Sequence, residues 1–247
     1  MLTFIVTGAA SGIGFAICQR LVAAGYYVIA LDINSEGLNE LVKQSSEYIY
    51  PLQIDLVEEH AIINQLMPLI KEREIQGIVV SHGRADYNDI EQNDIWDLVL
   101  TTNLHSTQRL FSHIVPNIIS GGRIVIISSI LGKMGTTRNT AYCASKHALM
   151  GLTKGLALDL AGRKITVNAV LPAWVNTPML VKGLEPHAQL LGCSTSVLLK
   201  RTAKRIPLRR LITPQDVAGT VMFFISPDAA MITAQGIIID GGERRGM

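Results

Sequence analysis

The stretch Thr3-Phe4-Ile5-Val6-Thr7-Gly8-Ala9-Ala10-Ser11-Gly12-Ile13-Gly14 sets an apolar, β-branched run directly before a glycine-rich turn, with an amphipathic stretch over 12–24 behind it. Strand, turn and helix in that order make the corner of a βαβ unit that holds phosphate. Its glycines allow a tight turn and a close approach of backbone to a pyrophosphate. The helix start then offers free N–H groups and the positive end of its dipole to the anion. The spacing is Gly-x-x-x-Gly-x-Gly, not the more familiar Gly-x-Gly-x-x-Gly. Gly8, Ser11, Gly12, Ile13 and Gly14 are the expected phosphate-side contacts.

Outward from this corner, short β-branched runs at 27–31, 48–54, 77–80, 123–127 and 165–170 alternate with helical patterns at 36–46, 58–73, 95–114 and 140–161. Such alternation predicts an α/β fold: a single-domain, Rossmann-like, doubly wound parallel sheet of about seven strands with helices on both faces. The unbroken Ile124-Val125-Ile126-Ile127 fits a strand buried on both sides. Pro68 is expected to kink or end the helix at 58–73. The stretch 178–213 breaks the alternation and is too long for an ordinary connection, so it reads as a substrate lid.

Composition narrows the function. The 247 residues carry 22 basic and 20 acidic side chains, a net charge of +2, and 48% hydrophobic residues. So small an excess gives no sign of a nucleic-acid partner, and so apolar a chain is not disordered. Cys18, Cys143 and Cys193 are too few and scattered for a disulfide framework or zinc cluster, and no metal site is expected. With neither a leader pattern nor a run of roughly 20 apolar residues, a cytoplasmic protein without membrane association is expected.

Three further positions carry chemistry. Asp32 closes the second strand, 18 residues after Gly14, where a carboxylate can accept hydrogen bonds from ribose hydroxyls and repel a 2′-phosphate. Neither Ser11 nor Ile33-Asn34 brings a basic side chain, so NAD is expected over NADP. Tyr142 and Lys146 lie four residues apart on one helix face. A phenol's ordinary pKa near 10 is too high for ready proton loss at neutral pH, and a neighbouring ammonium lowers it into the useful range for acid/base work. Ser129 follows an apolar strand, at the sheet edge where open α/β folds place ligands.

Together these motifs resemble the short-chain dehydrogenase/reductase family, whose hallmark is Thr-Gly-x-x-x-Gly-Ile-Gly, here Thr7 to Gly14. Ser129 precedes Tyr142 by 13 residues, the family's spacing. The resemblance covers nearly the whole chain and implies an oxidoreductase interconverting a secondary alcohol and a ketone. Tyr142 would be the acid/base, Ser129 would orient the reacting oxygen, and Lys146 would also hold the nicotinamide ribose. Asn103 would hold a water of a proton relay. It also implies that Asp55-Leu56 meets the adenine, that Gly83 approaches the cofactor ribose, and that Val175 and Thr177 hold the nicotinamide carboxamide. Asp240-Gly241-Gly242 matches the family's last strand and turn, and a homotetramer is implied.

Two departures stand out. Val80-Ser81-His82-Gly83 replaces Asn-Asn-Ala-Gly, so the bonds knitting that loop are lost unless Ser81 or His82 supplies them; His82 could instead titrate beside the cofactor. The altered loop raises an alternative, a catalytically quiet NAD-binding regulator on the same scaffold. Ala173 stands where the family has glycine, which requires a backbone conformation that alanine tolerates. The lid is also basic, with Lys200, Arg201, Lys204, Arg205, Arg209 and Arg210. These six fit an anionic substrate, such as a carboxylate or a CoA or carrier-protein thioester, and equally a solvated helix face or an oligomer contact.

Overall fold

The computed structural model describes residues 1–244 and, within them, all side chains except those of Ser45, Ser46 and His187. Seven strands form one parallel sheet in the order β3-β2-β1-β4-β5-β6-β7. They are β1 Thr3–Thr7, β2 Tyr27–Asp32, β3 Ile49–Gln53, β4 Ile75–Val80, β5 Ile118–Ile127, β6 Thr166–Pro172 and β7 Gly236–Ile239. Side chains alternate between the faces. Phe4 and Val6 join Ile17 and Leu21 of α1 (Gly12–Ala23), Leu38 and Leu41 of α2 (Ser35–Ser45), and Phe224 of α10 (Pro214–Ile225). Ile5 faces the opposite way, into a core with Ile62, Leu110, Phe111 and Leu149.

That second face carries the helices that differ most from the sequence pattern. The stretch at 58–73 forms α3 (Glu59–Ala61), a π turn (Ile62–Leu66) and α4 (Met67–Ile70). Pro68 therefore does not end the helix; a π turn directly precedes the turn that holds it. The stretch at 95–114 likewise forms α5 (Asn93–Leu100), a π turn (Thr101–His105) and α6 (Ser106–Ile114). Next comes α7 (Thr140–Asp159), while the stretch at 178–213 holds α8 (Pro178–Leu190) and α9 (Thr195–Arg205). Strand β5 starts five residues earlier than expected. Gly121, at φ +81°, belongs to an irregularity in the β4–β5 register rather than to a turn before the strand.

The strand order reverses at β1, between β2 and β4. Ligands bind open α/β sheets at the carboxyl ends of the strands beside such a switch point. At that edge lie Gly8, Asp32, Asp55, Gly83, Ser129 and the segment from Ala173 to Thr177.

Candidate active site

The turn after β1 is built for close backbone contact. Gly8 has φ +64°, and a Cβ on Gly14 would lie 2.1 Å from the Gly8 carbonyl oxygen. A Cβ on Gly8 would likewise meet the Ser81-His82 backbone at 2.9 Å, so only glycine lets the helix start and the neighbouring loop pack this closely on the turn. Gly12 faces Thr177, Ile13 is partly buried, and Ser11 is the exposed N-cap of α1, with no capping hydrogen bond from its side chain. Asp32 accepts from the Ala10 N–H (2.9 Å) and the Asn34 N–H (2.9 Å), so its carboxylate stands against this turn. Asp55 is exposed and caps the turn into α3, accepting from the Val57 N–H at 2.9 Å; Leu56 beside it is buried. These features fit the adenosine and pyrophosphate parts of a nicotinamide dinucleotide.

Opposite the switch point, the four residues expected to carry chemistry converge. Asn103 is buried in the π turn between α5 and α6, the widened turn that often marks functional positions. Its Nδ2 donates to the Arg84 carbonyl and to Ser145 Oγ of α7, both at 3.0 Å, and its Oδ1 accepts from the Arg84 N–H at 2.8 Å. Gly83 is tucked against this group; a Cβ there would lie 3.0 Å from Asn103 Oδ1 and 3.6 Å from Lys146 Nζ. Lys146 is buried, and its Nζ donates to the Ile127 carbonyl at 3.0 Å and lies 5.5 Å from the Tyr142 ring centre. Burial pushes its pKa down to about 8.

The Ser129 side chain lies beside the Tyr142 phenol and acts to lower its pKa. Ser129 Oγ accepts from the Leu131 N–H (3.1 Å), which fixes its direction. Its neighbour Ser128 instead donates to the Lys146 carbonyl (3.0 Å), pinning α7 to the end of β5. Burial pushes the Tyr142 phenol up to about 12 against the opposing effect of Ser129. At neutral pH the phenol therefore holds its proton, as an acid that gives it to a substrate oxygen must.

On the far wall, Thr177 Oγ1 donates to the Val175 carbonyl and accepts from the Leu180 N–H, each at 3.3 Å. It opens α8, whose first turns and the preceding Asn176 line a cleft of about 610 Å³ with Pro178, Val181, Lys182 and Glu185. Ala173 has no positive φ, so the missing glycine costs nothing in backbone strain. Of the basic residues at 200–210, Arg205 lies 3.7 Å from Glu243, Arg209 donates to the Lys204 carbonyl, and Arg210 pairs with Asp216 at 2.9 Å.

The variant loop is knitted after all, through His82. Thr7 Oγ1 accepts from the Ser81 N–H (3.0 Å) and the His82 N–H (3.2 Å) and lies 2.7 Å from His82 Nδ1. With both its acceptor positions filled, the Thr7 hydroxyl donates its hydrogen bond to Nδ1. The ring hydrogen then sits on Nε2 and points at Ser106 Oγ, 2.9 Å away, which donates in turn to the Thr102 carbonyl. Burial and the Lys146 charge pull the His82 pKa down to about 4, which keeps the ring neutral. His82 is a neutral strut between the phosphate turn and the π turn, not a group that titrates near neutrality. Ser145, which the sequence pattern does not single out, joins the site through Asn103, a partner remote in the chain.

Residues 8–243 match the family described as enoyl-(acyl carrier protein) reductase. A putative ketoacyl reductase of Streptomyces coelicolor is 34% identical over 251 residues, spanning 96% of this chain and 95% of the relative. The 3-oxoacyl-(acyl-carrier-protein) reductase of Thermotoga maritima is 33% identical, spanning 96% of each. The chain belongs to the short-chain dehydrogenase/reductase family. A crystal structure of a single-residue variant of actinorhodin polyketide ketoreductase with NADPH has the same fold, with TM-score 0.91 at 32% identity over 98% of this chain and 97% of that one. As a short-chain dehydrogenase/reductase, the protein is a nicotinamide-dependent oxidoreductase acting on alcohols and ketones. Among its described residues, no helix is long and apolar enough to cross a membrane.

Proposed function

We propose that the protein is an NAD(H)-dependent oxidoreductase that interconverts a secondary alcohol and a ketone, with 3-oxoacyl thioesters as the first substrate class to test. The observation that carries this is the gathering of Ser129, Tyr142, buried Lys146 and buried Asn103 at the edge that holds the glycine turn. A bound nicotinamide supplies or takes up the hydride. In the reducing direction Tyr142 gives its phenolic proton to the substrate oxygen, which Ser129 orients by hydrogen bonding. The ammonium of Lys146 steadies the resulting phenolate and reaches the ribose side of the site. Asn103 orders the route by which solvent returns a proton.

NAD is favoured over NADP because the Asp32 carboxylate, held against the glycine turn, would repel a 2′-phosphate. When the cofactor is bound, Asp55-Leu56 would border the adenine, and Val175 with Thr177 would border the carboxamide. Helices α8 and α9 form the substrate lid. The thioester class is supported by the names of the similar reductases and by exposed Lys200, Arg201 and Lys204 on α9, whose charges suit an anionic carrier. The neutral strut through His82 removes the observation that favoured a catalytically quiet regulator.

The test follows reduced-nicotinamide absorbance with NADH and with NADPH. Substrates are acetoacetyl-CoA and a panel of hydroxy acids, sugars and steroids. Turnover of acetoacetyl-CoA with NADH preferred is expected. No turnover with any ketone or alcohol would overturn the enzymatic assignment, and a preference for NADPH would overturn the role given to Asp32.

A further inference from the structure

The helix that carries Tyr142 does not cap itself. Its N-cap, Asn139, makes no side-chain capping bond, and its carboxamide donates instead to the Thr137 carbonyl. Uncapped first-turn N–H groups leave a helix start prone to fray. Tyr142 is the third residue of α7, inside that first turn.

The missing cap comes from a loop more than 50 positions earlier. Asn88 is buried, and its Oδ1 accepts from the Ala141 N–H at 3.2 Å while its Nδ2 donates to Thr140 Oγ1 at 2.8 Å. Its own N–H donates to the Arg138 carbonyl at 3.0 Å, forming a parallel bridge with Asn139. Next to it, Asp89 holds the Arg138 guanidinium with two bonds of 3.1 Å, fixing a residue at φ +55° just before the helix. The same loop is tied at its other end, where Asn103 grips both the N–H and the carbonyl of Arg84. One strap thus runs from Asn103 to the start of α7.

We propose that Asn88 is a positioning residue for Tyr142: by capping the first turn of α7 in place of Asn139, it holds the phenol in register with Ser129 and with the Asn103 cluster at the other end of the strap. It rests on the assignment of Tyr142 as the proton donor. Asn88 touches neither substrate nor cofactor and acts only through the helix.

Two substitutions separate positioning from general structure. Asn88→Leu keeps the volume and removes every bond to α7. Asn88→Asp keeps an acceptor for the Ala141 N–H and lets the Thr140 hydroxyl donate instead of accept. The first readout is amide hydrogen exchange over residues 140–143, which needs no substrate. Exchange at Ala141 should quicken by about tenfold in the Leu variant and return toward wild type in the Asp variant. The second is steady-state reduction of acetoacetyl-CoA. In the Leu variant kcat should fall by about 10- to 100-fold with KM within about threefold, and the Asp variant should come within about threefold of wild-type kcat.

Unchanged Ala141 exchange in the Leu variant would overturn the proposal whatever the substrate. So would wild-type kcat there, or an Asp variant as impaired as the Leu variant. If the Leu variant does not fold, the Asp variant decides by the same kcat criterion. A wild-type protein inert toward acetoacetyl-CoA counts against the substrate assignment, and exchange alone then judges Asn88.

Discussion

Acidification should weaken this fold through one identifiable side chain. Near neutrality His82 is the neutral ring in the folded protein, since its Nδ1 accepts a hydrogen bond from the Thr7 hydroxyl and its Nε2–H is spent on Ser106. A proton added at Nδ1 would face the Thr7 hydroxyl and the Lys146 charge. Burial, with the Lys146 charge, lowers the pKa from 6.5 to about 4. The unfolded chain then binds the proton first, so stability is complete above about pH 7 and declines as pH drops toward 4. At about 1.4 kcal/mol per factor of ten in proton affinity, the full cost is about 3 kcal/mol. About 2 kcal/mol of it should appear between about pH 7 and about pH 4.5. The assay is urea unfolding across that range for the wild type and for His82→Gln, whose carboxamide does not titrate. Losses common to both chains, such as carboxylate protonation, cancel in the difference. The wild type should lose about 2 kcal/mol more than the variant. A difference flat with pH, or ring nitrogen resonances of a charged imidazole near about pH 6, would refute the neutral strut.

Other perturbations test the remaining parts. Gly14→Ala forces a Cβ to within 2.1 Å of the Gly8 carbonyl oxygen; it should cost about 1–3 kcal/mol in stability and weaken NADH binding more than about tenfold. Wild-type melting and NADH affinity in that variant would contradict the phosphate cradle. Asp32→Asn should move the NADH-to-NADPH ratio of kcat/KM toward NADPH by about 10- to 100-fold; an unchanged ratio removes Asp32 from cofactor choice. Asp216 closes a capping box with Thr213 at the start of α10, and Arg210 holds its carboxyl well below the usual range. Asp216→Ala should therefore cost about 1–2 kcal/mol above about pH 4, with the deficit shrinking on further acidification as the native carboxylate takes up its proton; a pH-independent or absent deficit in urea unfolding would contradict this.

The parallel sheet was legible because strands buried on both faces read as unbroken apolar runs, as at Ile124-Val125-Ile126-Ile127. The front of β5 was hidden by Gly121-Gly122, a pair that reads as a turn and serves as an irregularity inside a strand. The Tyr142–Lys146 pair showed itself through helical spacing, yet its protonation state comes from burial, which spacing does not reveal. The π turn at 101–105 was also hidden, since one widened turn barely alters hydrophobic periodicity, although it is what sets Asn103 in place. His82 looked like a possible titrating group, and only its bonds to Thr7 and Ser106 define it as a strut. Asn88 gave no signal at all: a cap supplied from a distant loop has no local pattern to read.

The most direct test of the central claim compares wild type and Tyr142→Phe in the reduction of acetoacetyl-CoA by NADH, with NADH affinity measured alongside. Loss of the proton donor should lower kcat by about 10²- to 10⁴-fold, while NADH binds within about threefold of wild type because the cradle around Gly8 and Asp32 is untouched. Undiminished turnover in the phenylalanine variant would contradict the assignment of Tyr142 as the acid, and with it the mechanism proposed for this site.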